Sequence, residues 1–364
     1  MTTGNLLEKY DEWLEDSGPS ALVIREHLMP VEGRDGVLFP ATFAASEDRV
    51  FKGGYNVDEF PDGKNVCLID SVGSQANRIE PQFTKKEYAG LVPQIVVKAG
   101  EKRVNLLEAG HRAGDAVVRC SGLQQQLRNA FREVLNGNAE PLAKISPTSL
   151  VFGVWDSRDT QAKLPRLIAS TIRAFDVRKL TRSAQYVPAT EYVSEGLLEE
   201  AVDKKAKDAY AERGFVHHPA AGSHGGVIAA GGIRRDASLH LAALRLLTAG
   251  KDDARTLALR RYILGLALTA FTYSPAGYLR QGCNLVLDPE KPREFKLVLS
   301  DGRHEDAALT DKDAIAYAKV AAKAFGIGPD QDVMFDKELA RKDVAGGTSE
   351  GEQKAKKSRA KQVA

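Results

Sequence analysis

Short apolar runs typical of buried strands alternate with helical patterns at irregular intervals, and long insertions separate them. The strand-like runs span 21–25, 66–70, 149–155, 283–287 and 295–299, and helical spacing recurs over 5–15, 123–135, 254–271 and 306–325. A doubly wound parallel sheet requires a regular alternation of strands and helices, which this order lacks. The sequence therefore predicts an α+β fold, built as one large domain with insertions or as two domains.

Composition is typical of soluble globular proteins and excludes several classes. Hydrophobic residues make up 43% and charged residues 27% of the 364 residues, which is enough apolar material for a buried core. No apolar run approaches the roughly 18 residues of a membrane span, and the N-terminus lacks the basic and apolar regions of a secretory signal. Three separated cysteines, Cys67, Cys120 and Cys283, exclude a disulfide framework and a CxxC zinc site. We therefore expect a cytoplasmic protein with no membrane contact.

The net charge of +2 is unevenly distributed along the chain. Residues 158–182, the basic segment, carry +5, residues 337–364 carry +4, and the remainder of the chain carries −7. Phosphate binding responds to the local field rather than to the net charge. The sequence therefore predicts a basic surface on an acidic body, with a solvated basic face that binds nothing as the open alternative.

The apolar run at 66–70 leads directly into a short polar helix. Ser71 is a suitable N-cap and Pro81 a suitable stop signal for this helix. Because helix N-termini favour anions, we expect its polar side chains to contact phosphate. Those side chains are Ser74, Gln75, Asn77 and Arg78.

Residues 217–232 are rich in glycine and predict a loop whose backbone N–H groups approach a phosphate closely. Arg234 and Arg235 stand at the end of this loop. Asp236 is a suitable cap for a helix that follows, and residues 195–214 predict an exposed helix earlier in the chain.

The basic segment and the residues just after it give the strongest indication of function. Isoleucine and threonine favour an extended conformation there. The cations can bind several phosphates, the hydroxyl and amide groups can donate hydrogen bonds to phosphate or sugar, and an aromatic ring offers a stacking surface. These residues are Lys163, Arg166, Arg173, Arg182, Ser170, Gln185 and Tyr186. Together with the polar helix and the glycine-rich segment, they favour a groove for single-stranded nucleic acid.

Familiar catalytic motifs are missing from the sequence. GxxxxGK[ST], GxGxxG and GxSxG are absent, so a P-loop ATPase, a Rossmann site and a serine hydrolase are not supported. His217, His218 and His224 lack a carboxylate or cysteine at ligand spacing, so we expect neither a metal nor a cofactor. His27 and His111 are candidates for the general base of a metal-independent ribonuclease, with structural or merely exposed histidines as the alternative.

Several polar motifs, in one order along the chain, resemble those of one CRISPR-associated protein family. They are Asp70–Glu80, Val154–Ser157 with Leu164–Arg166, Ser170–Ala174, Arg182–Tyr186 and Gly232–Ala237. Together they are similar to the backbone subunit of the type I-G (formerly I-U) Cascade effector, a Cas-seven protein of the RAMP superfamily. The resemblance extends over about residues 66–250.

The resemblance implies a fold and a set of partners. Residues 1–336 would form an RRM-like (ferredoxin-like) palm, a four-stranded antiparallel sheet with inserted finger and thumb elements. The thumb would lie within 177–226, and residues 337–364 would be a disordered basic tail. The protein would bind CRISPR RNA, polymerise along it and present it for pairing with target DNA. It would do so beside other Cascade subunits and without catalysis.

The RNA-binding role would fall on the residues of the matching motifs. These are Ser74, Gln75, Asn77, Arg78, Lys163, Arg166, Ser170, Arg173, Arg182, Gln185, Tyr186, Arg234 and Arg235. RNP-type aromatics are not evident on any strand, so contacts to the RNA backbone should dominate over base stacking. Two alternatives stay open: a RAMP-superfamily ribonuclease acting through His27, His111 or a loop aspartate, and an assembly protein whose basic face docks an acidic partner.

Overall fold

The computed structural model describes residues 6–273 and 277–345. Within these residues, nine antiparallel strands form one curled sheet, and the fold is mixed α+β, as the sequence predicted. The strands, in chain order, are β1 (Ala21–Pro30), β2 (Thr42–Phe43), β3 (Gly54–Tyr55), β4 (Val57–Glu59), β5 (Asn65–Asp70), β6 (Ile95–Ala99), β7 (Lys102–Asn105), β8 (Val154–Trp155), β9 (Lys163–Leu164), β10 (Ile168–Phe175), β11 (Val177–Tyr186), β12 (His218–Ala229), β13 (Ile233–His240), β14 (Tyr278–Arg280), β15 (Cys283–Leu287), β16 (Glu294–Val298), β17 (His304–Asp306) and β18 (Gln331–Met334). The α-helices are α1 (Val72–Ile79), α2 (Ala116–Arg119), α3 (Gln124–Leu135), α4 (Glu140–Ala143), α5 (Pro147–Phe152), α6 (Lys204–Glu212), α7 (Leu241–Leu244), α8 (Asp253–Thr272) and α9 (Asp311–Phe325). Short 3-10 helices span Asp11–Trp13, Glu80–Thr84, Lys86–Tyr88, Leu106–Glu108 and Arg112–Gly114.

The strand order across the curled sheet is β14–β15–β1–β13–β10–β5–β4. The long strand β1 pairs with β13 along one edge and with both β15 and β16 along the other, and β17 pairs with β16. Arg235 on β13 lies opposite Ile172 on β10, and Ile172 lies opposite Asp70 on β5. The other strands form the small sheet β18–β6–β7 and the ribbons β2–β3, β8–β9 and β11–β12.

Side chains alternate between the two faces of the sheet, as half-buried strands require. Along β13, Ala237 and Leu239 are buried, whereas Arg234 and Asp236 are partly exposed. Helix α8 contacts this strand, and its residues 262–272 are buried without interruption. One face of the sheet therefore packs against the protein interior, and the other is open to solvent.

Two hydrophobic cores lie on the buried side of the sheet. The larger core includes α8 and α9, and the smaller core includes Cys67 on β5 and Cys283 on β15. These two strands are far apart in the sheet order, so the curl of the sheet brings them to the same cluster. Glu26 on β1 and Arg235 on β13 form a buried ion pair between the two cores. The distance from Arg235 Nε to Glu26 Oε2 is 2.5 Å.

Strands β11 and β12 form a two-stranded ribbon that continues β10 and β13 beyond the sheet. Asp176, with φ 48°, turns the chain between β10 and β11. Residues 187–217 form the tip of the ribbon, where the rings of Tyr192 and Tyr210 pack edge-on against Phe215. At the base, the hydroxyl of Tyr55 accepts a hydrogen bond from the backbone N–H of Gly226 at 3.0 Å.

The strand predicted at 149–155 is wrong. Helix α5 ends at Phe152, and only the two residues of β8 that follow are extended. An apolar run does not distinguish a buried helix from a buried strand. Pro147 at the start of α5 favours the helix, because proline suits the first helical turn.

The glycine-rich loop predicted at 217–232 is also wrong, because most of this segment is the strand β12. Its glycines permit close strand pairing: a Cβ atom on Gly225 would lie 2.7 Å from the carbonyl oxygen of Leu180 on β11. Asp236 lies within β13 and caps no helix. The side chain of Asp252 caps α8 instead, accepting a hydrogen bond from the N–H of Arg255 at 2.9 Å.

Most other predicted elements are confirmed, with changes at their ends. The strands predicted at 21–25, 66–70, 283–287 and 295–299 and the helices predicted at 123–135 and 254–271 are present. The helix predicted at 195–214 is confined to α6, and the one predicted at 306–325 begins at Asp311. Within 5–15, the structure has the 3-10 helix Asp11–Trp13.

The predicted disordered tail, 337–364, lies partly within the described residues. Residues 337–345 are helical, and Asp343 accepts a hydrogen bond from Arg119 at 2.7 Å. This contact to the body of the protein differs from the disorder expected there, and residues 346–364 lie outside the described residues. No helix of the described part of the chain is long and apolar enough to cross a lipid bilayer.

Candidate nucleic-acid interface

Helix α1 is attached to the sheet by a buried hydrogen-bond network. The amide of Gln75, which has no solvent exposure, donates to Asp70 at 2.7 Å and accepts from the hydroxyl of Ser170 at 3.0 Å. Ser71 caps the helix as predicted, accepting from the backbone N–H of Ser74 at 3.2 Å. Gln75 and Ser170 are both buried, and their hydrogen bonds position α1 on β5 and β10.

Asp70 is the centre of that network. It is 2% exposed and accepts hydrogen bonds from Arg78 Nε at 3.1 Å and from Arg280 Nη2 at 3.1 Å. Arg78 also donates to the backbone carbonyl of Leu279 at 2.8 Å. Two guanidinium groups compensate one buried carboxylate, and Arg78 connects α1 to β14 across the curl of the sheet.

Arg235, like Asp70, is buried and forms ion pairs within the protein. Its guanidinium is 4% exposed and pairs with Glu26. Glu26 also pairs with Arg293, at 3.0 Å. Breaking a buried pair of this kind is strongly destabilising, because the remaining charge is left uncompensated. The pair therefore fixes β1 to β13 beneath the open face of the sheet.

Asn77 is exposed on α1 and lies beside a buried arginine that sequence reasoning missed. Arg112 pairs with Glu80 at 2.7 Å and directs its two terminal nitrogens to the Asn77 side chain at 3.5 Å and to the Gly153 carbonyl at 3.3 Å. Burial raises the pKa of Glu80 to about 7, because its effect exceeds the opposite effect of the Arg112 charge. Arg112 therefore links α1 by hydrogen bonds to the residue that precedes β8.

Lys163 and Arg166 are exposed at the β8–β9 hairpin, as the sequence predicted for the basic segment. The hairpin also carries Trp155, which is 57% exposed and lies across the ribbon from Lys163. The Lys163 ammonium group is 5.4 Å from the centroid of the Trp155 ring. The sequence motif includes this tryptophan, but no local pattern indicates that its ring faces solvent.

Arg173 and Arg234 are cross-strand neighbours on the open face of the sheet. Arg173 donates to the hydroxyl of Thr171 at 2.7 Å, and Arg234 donates to Asp236 at 2.9 Å. The Arg234 guanidinium also lies 4.8 Å from the ring centroid of Phe175. Both cations are partly exposed and held in place by neighbours on the same face, so they are available to an anion without a large loss of side-chain entropy.

Strand β11 is a basic strand that has no acidic residue. Its exposed polar side chains include Arg178, Lys179, Arg182, Gln185 and Tyr186. Lys179 pairs with Glu59 at 3.6 Å, and the Gln185 amide is 3.4 Å from a ring nitrogen of His217. Tyr186 is 52% exposed near the tip of the ribbon. The ribbon thus presents cations, an amide and an aromatic ring along one strand.

Three histidines that the sequence singled out have ordinary side-chain partners in the structure. His217 contacts Glu191 at 3.0 Å, and His224 lies against the ring of Tyr55. His111 is 87% exposed, 3.6 Å from Asp115. Among the described residues, no three His, Cys, Asp or Glu side chains gather as ligands for a metal ion.

Most of the exposed residues that were predicted to bind RNA lie on elements that are consecutive in the chain. The β8–β9 hairpin, β10 and β11 are consecutive elements, and they present Lys163 with Arg166, then Arg173, then Arg182 with Gln185 and Tyr186. Arg234 joins this path from β13. The structure separates these residues from the buried Gln75, Ser170 and Arg235, which hold the scaffold beneath them.

Residues 22–179 match the family model described as CRISPR-associated protein GSU0053 (Cas_GSU0053). The matched region runs from β1 into β11, so it includes α1, the β8–β9 hairpin and β10. The match shows that this part of the chain is similar to a CRISPR-associated protein family. A search of the curated proteins finds no match to the chain.

The buried network predicts a loss of stability for Gln75→Leu. The change removes a donor from buried Asp70 and an acceptor from buried Ser170, so we expect the free energy of unfolding to fall by about 1–3 kcal/mol. Urea denaturation measures this difference. Gln126→Leu, the same change at an exposed glutamine on α3, is the matched control and should change stability by less than about 0.5 kcal/mol. Equal urea midpoints for the two variants would contradict the structural role of Gln75.

Proposed function

We propose that this chain is a CRISPR RNA-binding backbone subunit of a type I Cascade surveillance complex. Copies of the chain polymerise along the guide and present it for pairing with target DNA, beside other Cascade subunits. One observation carries the proposal: the basic segment folds into consecutive elements that keep Lys163, Arg166 and Arg173 at the protein surface. The similarity of residues 22–179 to a CRISPR-associated family supports CRISPR RNA as the ligand of this basic surface.

The connectivity of the curled sheet supports an RRM-like palm. Strand β1 is followed by helices that include α3, then by β10 and β13, then by α8 and by the strands β15 and β16. This is the βαββαβ order of a ferredoxin-like unit. The insertion between β1 and β5 corresponds to a finger, and β11, β12 and the tip between them correspond to a thumb. The ribbon spans 177–229 and so includes the range 177–226 within which the thumb is expected.

Contacts to the RNA backbone explain how one subunit can serve many guides. Arginine and lysine bind phosphates of any sequence, and this contribution to affinity weakens strongly with salt. Arg173, Arg234 and Arg166 lie at the surface, where they can bind phosphates. The proposed role therefore needs affinity for single strands rather than sequence discrimination.

Charge reversal at the surface tests the proposal. We expect Arg166→Glu with Arg173→Glu to abolish RNA retention during purification, because the pair replaces two phosphate contacts by repulsion. In titrations with labelled single-stranded RNA, the slope of log affinity against log salt should become shallower by about 0.7 for each lost contact. Unfolding temperatures should stay close to that of the wild type.

The matched control is Lys312→Glu with Lys319→Glu on the outer side of α9, where both lysines are exposed. It changes the net charge by the same amount and should leave RNA retention unchanged. Equal losses in the two double variants would mean that net charge alone matters. Undiminished retention in Arg166→Glu with Arg173→Glu would refute the proposed surface.

A ribonuclease of the same superfamily is the second candidate, and one observation favours it. His27 on β1 lies opposite Arg234, which lies opposite Arg173, so a possible general base shares a cross-strand row with two cations. We expect end-labelled RNA to stay intact with and without added Mg²⁺, because the proposed role requires binding only. Cleavage that is lost in His27→Ala and kept in His304→Ala, on the exposed strand β17, would favour the enzyme instead.

A further inference from the structure

Trp155 is an exposed aromatic residue in a position where the fold gives it no packing role of its own. Its side chain is 57% exposed. Trp13, by contrast, packs against Tyr10, with ring centroids 4.6 Å apart, and these are the two tryptophans of the chain. Burial of large rings is a major source of stability, so a tryptophan left at the surface calls for another explanation.

The backbone beneath Trp155 is rigidly held. Neighbouring residues of the hairpin, Val154 and Ala162, are buried in the larger core. The buried carboxylate of Asp156 accepts from both the N–H and the hydroxyl of Thr160, at 2.8 and 2.7 Å. The hairpin therefore presents the ring from a fixed support, and ordering it on a ligand costs little conformational entropy.

The tip of the hairpin is fastened to a helix as well. Arg128 on α3 forms a bidentate pair with Asp159, at 2.6 and 2.8 Å. On the other side, the 3-10 helix Arg112–Gly114 packs closely, since a Cβ atom on Gly114 would lie 3.1 Å from the Trp155 carbonyl oxygen. Contacts from two separate elements thus fix the geometry of the hairpin.

Three cations near the ring lack a carboxylate partner in the described part of the chain. Lys163 lies over the ring, and Arg158 and Arg166 are exposed nearby in sequence. Within the described residues, none of these three cations has a carboxylate within 4.0 Å, whereas Asp159 is already paired with Arg128. A flat apolar surface bordered by available cations is complementary to a nucleotide, which joins a flat base to a phosphate.

We propose that Trp155 is a stacking site for one unpaired nucleobase, with Lys163 and Arg166 binding the adjoining phosphates. The proposal rests on the proposed function, because it assigns a base contact to the same RNA-binding surface. Stacking on an indole tolerates every base, since each has a π-face, so the site suits guides of any sequence. It adds one base contact to a surface where contacts to the RNA backbone are expected to dominate over base stacking.

Tryptophan fluorescence tests the stacking directly. In the full chain carrying Trp13→Phe, Trp155 is the remaining tryptophan, and a stacked base quenches its emission. We expect a twelve-residue oligoadenylate to quench the emission over the same concentration range in which the fluorescence anisotropy of the labelled oligonucleotide rises. A blunt RNA duplex, whose bases are already stacked, should produce little quenching.

Substitutions separate stacking from charge. Trp155→Ala and Trp155→Leu should each weaken binding of the oligonucleotide by about tenfold, within the range for loss of one stacked ring. Trp155→Phe should recover part of that loss, because it restores an aromatic surface that leucine lacks. Tyr278→Ala, at a ring that is 61% exposed on β14, is the matched control and should bind like the wild type. Unfolding temperatures verify that each variant is folded.

The outcomes distinguish this proposal from the proposed function. Normal anisotropy with no quenching, or wild-type affinity in Trp155→Ala, overturns the stacking site and leaves RNA binding in place. Equal affinity of Trp155→Phe and Trp155→Leu overturns stacking in favour of plain apolar contact. Absence of any binding to the oligonucleotide overturns the proposed function and the stacking site together.

Discussion

The buried carboxylate of Asp70 is the interaction on which the arrangement of the surface depends. It lies at the end of β5, where it accepts hydrogen bonds from Gln75 and Arg78 on α1 and from Arg280 on β14. These contacts fix the helix to the sheet and join strands from opposite ends of the strand order. A buried charge persists only where it is fully compensated, so this site requires several elements to be correctly placed at once.

Buried ion pairs beneath the surface explain how a chain with a net charge near zero can have a basic face. Buried cations such as Arg112 and Arg235 are paired with carboxylates, whereas Lys163 and Arg166 have no such partner within 4.0 Å among the described residues. The sum of charges counts both kinds equally, but only exposed and uncompensated cations attract a polyanion. In the proposed assembly along a guide, limited net charge would also reduce repulsion between neighbouring copies.

Local patterns in the sequence predict those elements whose stability is local. Helix α1 follows from its Ser71 cap, and β1 from the short apolar run at 21–25, so both are correctly predicted. Strand β12 is different, because its glycine-rich residues become a strand only by pairing with β11, across the intervening tip. The helix α5 was missed for another reason, since a continuous apolar run fits a buried helix as well as a buried strand.

The same distinction applies to the interface. Exposure of Lys163 and Arg166 could be anticipated from a concentration of like charge, which is rarely buried. The burial of Gln75 depends on Ser170, 95 positions away, and no spacing in the sequence reveals that contact. For Trp155, the sequence suggests burial, because a tryptophan in a short apolar stretch is ordinarily part of a core. The structure instead exposes its ring on the β8–β9 hairpin.

The RNA that accompanies the protein is the most direct test of the central claim. The chain should be purified at low salt from cells that express it with a CRISPR array, and its RNA should be extracted and sequenced. A backbone subunit is expected to carry RNAs of uniform length that join spacer and repeat sequences, enriched far above their share of cellular RNA. Random cellular fragments, or protein free of RNA under these conditions, would contradict a role as the guide-binding backbone.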